Sequence, residues 1–350
     1  RTAAPQTRDW RAQYLCIVKF IVIVPARLAS TRLPRKPLAD IGGMPMVVYV
    51  ARNAAKSGAA RVVVAADDEE IQAACSAHDV DSILTSKAHQ SGTDRLAEAV
   101  RLLALDPHTV VVNVQADEPL LPPAVMREVA QLLSARADCE IATAAHPIVD
   151  AGEFFSPDVV KVVVDASARA LMFSRAPIPW SRDTFAATRA VLPAGLPAWR
   201  HVGLYAYGAS FLSRFPMLPR AAIEEHEKLE QLRALSQGIG IAVLQLNSSL
   251  TPEVDTPREV VMIKRYLAAF IAAAALTVAA ADAKTLRWAS QGDPQTADPF
   301  SQNEGLTNMF SQSVHDTLVM RDNTLKLVPG LATSWQQVNP TTWRFTLRQG

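Results

Sequence analysis

Apolar and polar positions along residues 19–260 fall into blocks of two periods. "KFIVIV" (19–24), "ARVVVAAD" (60–67) and "HTVVVNVQAD" (108–117) are short runs rich in β-branched residues, apolar on successive positions. Such runs predict strands buried on both faces of a sheet. Between them the period lengthens. "PMVVYVARNAAKSG" (45–58) has helical spacing and stops at Gly58. "DEEIQAACSAHD" (68–79) opens with the acidic residues a helix N-terminus favours, and "TDRLAEAVRLLAL" (93–105) predicts a further helix. Strands alternating with helices predict a mostly parallel sheet covered on both faces. Ligands of such sheets bind beyond the carboxyl ends of the strands. "PARLASTR" and "QADEP" fall at two such ends.

From about 140 the pattern changes. "VVKVVVD" (159–165), "ALMFSR" (170–175) and "RHVGLYAYG" (200–208) predict strands with longer connections. "AAIEEHEKLEQLRALSQG" (221–238) predicts one strong amphipathic helix, and "GIAVLQL" (240–246) a final strand. Together they predict an extension of the sheet and a subdomain closing over the site. Residues 1–18 show no clear period and read as an extension.

Charge narrows the chemistry. Across 350 residues Lys plus Arg is 35 and Asp plus Glu is 34, a formal net charge of +1. No global basic excess points to nucleic acid or to an anionic membrane, so an anion site has to be local. The stretch after the first strand supplies one. It carries Arg27, Arg32, Arg35 and Lys36, stiffened by Pro25, Pro34 and Pro37. It has neither the glycine spacing of a dinucleotide fingerprint nor that of a P-loop, which also removes a dehydrogenase reading. What it offers is guanidinium, ammonium, hydroxyl and backbone N–H groups, the donors that converge on a phosphate chain. The cysteines, Cys16, Cys75 and Cys139, are odd in number and far apart. They make no metal spacing and no disulfide framework, which fits a reducing, cytoplasmic compartment.

"VPARLASTRLPRKPLADIGGMPMVVYV" resembles the signature of the sugar-acid cytidylyltransferases, most closely the branch acting on 3-deoxy-manno-octulosonate (Kdo). Further segments come in the family's order: "VAADDEEI" (64–71), "HQSGTDRLAE" (89–98), "VNVQADEPL" (112–120), "VKVVVDASARALMFSRAPIPW" (160–180), "RHVGLYAY" (200–207), "EEHEKLEQLR" (224–233) and "VDTP" (254–257). The resemblance covers roughly 19–260, and the ordered set is far more specific than any one motif. It implies an α/β fold, a three-layer α/β/α, Rossmann-like nucleotidyltransferase with a mixed, mostly parallel sheet. It also implies that CTP and Kdo give CMP-Kdo and pyrophosphate with Mg²⁺, activating Kdo for lipopolysaccharide biosynthesis. The same resemblance implies a homodimer, with no nucleic acid and no membrane for the enzyme domain. An acylneuraminate-type cytidylyltransferase is the alternative within enzymes.

The resemblance also distributes roles. Arg27, Arg32 and Lys36 become the catalytic cations on the phosphates, with Ala26, Ser30, Ser91 and Gly92 beside the nucleotide. Thr31 adds a hydroxyl. Asp117 and Asp255, hard carboxylates from distant loops, suit Mg²⁺ with phosphate oxygens and water completing its shell. Each alone also fits a turn or a helix cap. Arg95, Gln115, Arg175, His201 and Tyr205 become sugar or substrate contacts. Glu224, Glu227 and Gln231 join them from nearly one face of the predicted 221–238 helix. Ser91, Gly92 and Arg95 equally fit a loop entering a helix, His201 a packed strand residue, the glutamates a solvated helix face, and Asp94 a structural place. Three departures from the family pattern stand out: Ala116 and Glu253 where Gly is usual, and Gly208 where Arg is common. A positive φ at 116 would strain an alanine.

The tail reads as something else. "MIKRYLAAFIAAAALTVAAADAK" (262–284) has Lys264 and Arg265, an apolar run, and Ala281-Asp282-Ala283 as a cleavage site, the form of a secretory signal. Residues 284–350 resemble the start of periplasmic peptide-type solute-binding proteins of ABC transporters, on "PGLATSW" and "WRFTLRQG". This predicts an N-terminal extension (1–18), a cytidylyltransferase domain (19–261), a signal-like segment (262–283) and a truncated solute-binding fragment (284–350) that export would carry outward. A chimeric chain whose enzyme part is inactive is the reading from a different class.

Overall fold

The computed structural model describes residues 18–30, 33–89, 91–250, 256, 259–263, 319–321, 326–339 and 341–348. Strand β1 (Phe20–Ala26) is buried along its whole length. Its alternate residues part to opposite sides: Val22 and Val24 enter one apolar core, Ile21 and Ile23 another. That division is what an unbroken apolar run predicts for a strand sandwiched between helices. A short hairpin, β2 (Asp40–Ile41) and β3 (Met44–Pro45), leads into α1 (Met46–Ala55). Its turn uses Gly42 and Gly43 at φ 63° and 91°, a conformation that costs glycine little.

The alternation continues through β4 (Arg61–Ala66), α2 (Glu69–Ser76), β5 (Ser82–Leu84), α3 (Gly92–Leu102), β6 (Val110–Asn113), α4 (Pro123–Ala135) and β7 (Ile141–Pro147). Side chains start two of these helices. Asp68 accepts the Glu70 N–H at 3.0 Å for α2, and Ser91 accepts the Asp94 N–H at 3.1 Å for α3. Next come α5 (Ala151–Phe155), β8 (Lys161–Val164), β9 (Ala170–Ser174), α6 (Arg182–Ala187), β10 (Trp199–Gly208), α7 (Ala209–Arg214), α8 (Ala222–Glu227), α9 (Gln231–Ser236) and β11 (Ile241–Gln245).

The main sheet has nine strands in the order β11-β7-β10-β6-β1-β4-β5, with β8 paired to β10 and β9. The β11–β7, β6–β1, β1–β4 and β4–β5 pairs are parallel, and β10 runs antiparallel to its neighbours. This is the mixed, mostly parallel sheet expected from the sequence. A third, smaller core of Ile148, Phe154, Val159, Phe185 and Ala198 gathers the connections around β8 and β9. Lys161 anchors that region. Fully buried, it donates to the carbonyls of Ser156, Val159 and Arg175 at 2.8, 2.6 and 2.6 Å.

Two predicted elements are corrected. The single helix over 221–238 is two, because α8 ends at Lys228 in the left-handed region and α9 starts afresh at Gln231. The strand predicted to reach Asp117 ends at Asn113, and 114–117 continue beyond its carboxyl end into a turn at 116–117. Ala116 in that turn does not have a positive φ, so the strain expected of an alanine there is absent. Gly208 caps α7 at φ −72°, a conformation open to any residue.

By its contacts the chain divides into Arg1–Thr277 and Val278–Gly350. Among the described residues the second unit contributes two hairpins, β12 (Val319–Arg321) with β13 (Leu327–Pro329) and β14 (Ala332–Asn339) with β15 (Thr342–Leu347). The signal-like segment predicted at 262–283 lies outside the described residues, apart from its first two positions. Among the described residues no helix is long and apolar enough to cross a membrane.

Candidate active site

A cavity of about 620 Å³ opens beyond the carboxyl ends of β1 and β6. Its first wall is the loop behind β1, through Arg27 and Ser30, and the short 3₁₀ turn Lys36–Leu38. Arg35 starts that turn in the left-handed region and pairs with Glu70. Lys36 is thereby carried toward the turn behind β6, where its Nζ lies 2.5 Å from Oδ2 of Asp117. Gln115 and Ala116 line the cavity beside them.

Asp67, at the end of β4, ties the loop down. It accepts the Leu28 N–H at 2.8 Å on Oδ1, and Oδ2 faces the Arg95 guanidinium at 3.4 Å. Arg95 is almost fully buried and also donates to Thr85 Oγ1 at 2.5 Å. Burial holds its pKa below the usual guanidinium value, against the pull of Asp67 and Glu98. Ser91, Gly92 and Thr93 bring the N-terminus of α3 to the same cavity.

The second wall comes from β10 and the break between α8 and α9. His201, Tyr205 and Tyr207 line it from β10, and Lys228, Glu230 and Gln231 from the break. His201 Nε2 lies 3.0 Å from Thr143 Oγ1, whose own proton is directed at the Leu204 carbonyl 2.7 Å away. The hydroxyl therefore accepts from His201 Nε2–H, leaving Nδ1 as an acceptor. Burial pushes the imidazole pKa down to about 3, so the ring is neutral at physiological pH. Thr93 Oγ1 donates to Glu230 at 2.6 Å and so joins the two walls.

Among the described residues four buried side-chain polar atoms have no hydrogen-bond partner: Asn113 Oδ1, Asp117 Oδ1, Gln231 Nε2 and Ser57 Oγ. The first three belong to residues lining this one cavity. Unpaired buried polar atoms are costly, and their gathering marks a surface built for a polar ligand.

The chain matches the family described as Cytidylyltransferase over residues 21–242, a span that contains every residue lining the cavity. The chain belongs to the cytidylyltransferase family. A 3-deoxy-manno-octulosonate cytidylyltransferase of Leptothrix cholodnii is 53% identical to it over 249 residues, covering 71% of this chain and 92% of that protein. A solved CMP:2-keto-3-deoxy-manno-octonic acid synthetase, complexed with CTP, is 37% identical, with a TM-score of 0.64 over 71% of this chain and 98% of that one.

In this cytidylyltransferase the residues singled out from sequence divide three ways. Arg27, Ser30, Lys36, Ser91, Gly92, Arg95, Gln115, Asp117, His201, Tyr205 and Gln231 all line the cavity. Arg32 and Asp255 lie outside the described residues, as do Thr31 and Glu253. Ala26, Arg175, Glu224 and Glu227, expected beside the nucleotide or the sugar, do not line the cavity. Ala26 is buried in β1, its carbonyl accepting the Asp67 N–H at 3.1 Å. Arg175 donates from Nε to the Glu227 carbonyl at 2.8 Å and from Nη1 to the Pro157 carbonyl at 3.0 Å. Glu227 in turn accepts from Ser174 Oγ at 2.5 Å and the Arg175 N–H at 2.9 Å. Glu224 is buried against Arg233, which donates from Nε and Nη2.

Asn113, Thr93, Arg200, Lys228 and Glu230 line the cavity without being marked by the sequence reading. Asn113 has a visible signal, a lone polar residue inside the apolar run "VVVN". Lys228 would share a face with Glu224 and Gln231 on a continuous 221–238 helix, so spacing offers a signal for it, whereas Glu230 falls off that face and has none.

Proposed function

We propose that this cytidylyltransferase joins CTP to Kdo, giving CMP-Kdo and pyrophosphate, and so activates Kdo for lipopolysaccharide biosynthesis. The observation that carries this reading is the 53% identity with a Kdo cytidylyltransferase across 92% of that protein's length. The match favours Kdo over an acylneuraminate, and the gathering of Arg27, Lys36, Asp117, His201 and Gln231 around one cavity favours an active enzyme over an inactive fusion.

In the reaction a sugar hydroxyl attacks the α-phosphorus, and the bond from that phosphorus to the bridging oxygen of pyrophosphate breaks. Arg27 and Lys36 stand where the loop behind β1 can meet the triphosphate, and they neutralise charge that builds on the leaving group. The α3 N-terminus at Ser91 and Gly92 presents backbone N–H groups to the nucleotide. Gln231 Nε2, Asn113 Oδ1 and His201 Nδ1 supply a donor and acceptors for sugar and base hydroxyl, carbonyl and amino groups. Because His201 stays neutral, it takes a hydroxyl hydrogen bond without adding a charge beside the reacting phosphate.

The donor set fits Mg²⁺. Asp117 Oδ1 is a buried, unpartnered hard oxygen in the cavity wall. Among the described residues no cluster of three or more metal-ligating side chains forms. Mg²⁺ at nucleotide sites needs only one or two carboxylates, with substrate phosphates and water for the rest. Asp117 would hold it, with Asp255 as the second carboxylate named from sequence. When bound, the ion neutralises the triphosphate and polarises the α-phosphoryl group.

Coupled pyrophosphate release by the purified chain, with CTP, ATP, GTP or UTP and with Kdo or neuraminic acid, tests the proposal. Release with CTP and Kdo supports it. Release with UTP only, or none with Kdo, overturns it.

A further inference from the structure

We propose that Lys228 receives the carboxylate of the sugar acid. The inference rests on the reading of the cavity as a sugar-acid cytidylyltransferase site and goes beyond it by naming the cation that recognises the acid.

Lys228 ends α8 with φ 56° and ψ 44°, its N–H bonded to the Glu224 carbonyl at 2.8 Å. A helix end in the left-handed region is most readily taken by glycine, sometimes by asparagine, because a side chain crowds the backbone there. This chain places a lysine there, and the lysine lines the cavity. Its neighbours fix it. Glu227 is locked onto Ser174 and the Arg175 N–H, Leu229 is 7% exposed in the second core, and Glu230 accepts from Thr93. The break between α8 and α9 is therefore held at both ends, and Lys228 is the cation it brings to the cavity.

The charges of the cavity point the same way. Lys36 meets Asp117, Arg95 meets Asp67, and Arg200 meets Glu153 at 2.8 Å. Arg27 and Lys228 also line the cavity, and neither forms an ion pair among the described residues, although Asp158 and Glu230 share the cavity. The reaction brings in two anionic groups, a triphosphate and a sugar carboxylate. Arg27 belongs to the loop that also carries Lys36, on the triphosphate side. Lys228 stands on the other wall, with His201, Tyr205 and Gln231. Arg175, the cation that resemblance puts on the sugar, is occupied by the carbonyls of Glu227 and Pro157. That leaves Lys228 as the cation on the sugar side with charge to offer.

The test uses the whole chain and three variants, Lys228→Gly, Lys228→Met and Lys228→Arg. Losing one charge-assisted hydrogen bond should raise KM for Kdo about 10- to 100-fold in the Gly and Met variants, while KM for CTP stays within about twofold. Arginine should restore most of the loss. Lys228→Gly separates recognition from structure, because glycine suits the backbone at this position and should leave the melting temperature level or higher. The overturning result is a KM for Kdo within about twofold of wild type in Lys228→Gly, or a KM for CTP that rises as far as that for Kdo. A wild-type chain that releases no pyrophosphate with CTP and Kdo overturns the proposed function and this inference together. An active wild type with an unaffected Lys228→Gly variant overturns this inference alone.

Discussion

Lys36 Nζ lies 2.5 Å from Asp117 Oδ2, although 81 positions of sequence separate the two residues. The contact joins the basic loop behind β1 to the acidic turn behind β6, across a parallel strand pair whose register brings Ile23 beside Asn113. A cation suited to phosphate and a carboxylate suited to magnesium are thus placed side by side by the sheet itself.

Both members of this pair should be indispensable to turnover. Lys36→Met should lower kcat/KM for CTP by about 10²–10³, the usual cost of deleting one preorganised charge or donor at a reacting group. Asp117→Asn should do the same and also raise the Mg²⁺ concentration for half-maximal rate. A magnesium titration of pyrophosphate release checks both, and an unchanged midpoint in Asp117→Asn would remove Asp117 from the metal site.

Asp67 governs the loop from behind. Its carboxylate binds the Leu28 N–H and faces the buried Arg95 guanidinium, so Asp67→Ala leaves a buried cation without its partner. The expected loss is about 3 kcal/mol of stability, with a raised KM for CTP as the loop loses its anchor. Asp67→Asn keeps an acceptor for Leu28 and should fall between wild type and alanine. Urea unfolding and CTP kinetics measured on the same preparations would show it.

Glu224 offers a contrast. Its carboxylate is buried against Arg233, whose guanidinium lies 4.5 Å from the Phe215 ring centroid. Glu224→Gln should cost about 3 kcal/mol in unfolding, for the same reason of an unpaired buried charge. KM for Kdo should change little, because Glu224 does not line the cavity. A sugar-specific rise in KM with unchanged stability would return Glu224 to the substrate.

Legibility in the sequence depends on the range of the interactions. The walls of β1, β4 and β6, and the polar loops at their ends, come from local pattern: apolar runs make buried strands, and the loop after such a strand in a parallel sheet faces the ligand side. The break at Lys228 does not come from local pattern. The stretch 221–238 has the apolar spacing of one helix, and it divides because Glu227 is claimed by Ser174 and Arg175 on β9 and Glu230 by Thr93 on α3. Those partners lie dozens of residues away, and no periodicity announces them. For the same reason Arg175 and the two glutamates look like substrate contacts in sequence, although they are each other's partners or Arg233's. Strand β7 is hard to see in sequence because alanines blur its period.

His201 gives the fold a pH dependence. An unfolded histidine titrates near 6.5, whereas burial holds this one at about 3. Below about pH 6.5 the unfolded chain takes up a proton that the folded chain refuses, so stability falls as pH drops through that window. At pH 5 the loss should be about 1–2 kcal/mol relative to pH 8. His201→Gln should flatten this slope while raising KM for Kdo. Urea midpoints at pH 5 and 8 for the two proteins check the sign; equal slopes would mean that His201 titrates normally in the folded chain.

Cytidylyl transfer to Kdo is tested most directly by ³¹P NMR of the purified chain with CTP, Kdo and Mg²⁺. The expected spectrum has a phosphodiester resonance growing in equal amount with pyrophosphate, absent when Kdo is omitted and nearly abolished in Asp117→Asn. Nucleotide hydrolysis to CMP with no phosphodiester, or a phosphodiester formed at the wild-type rate by Asp117→Asn, would contradict it.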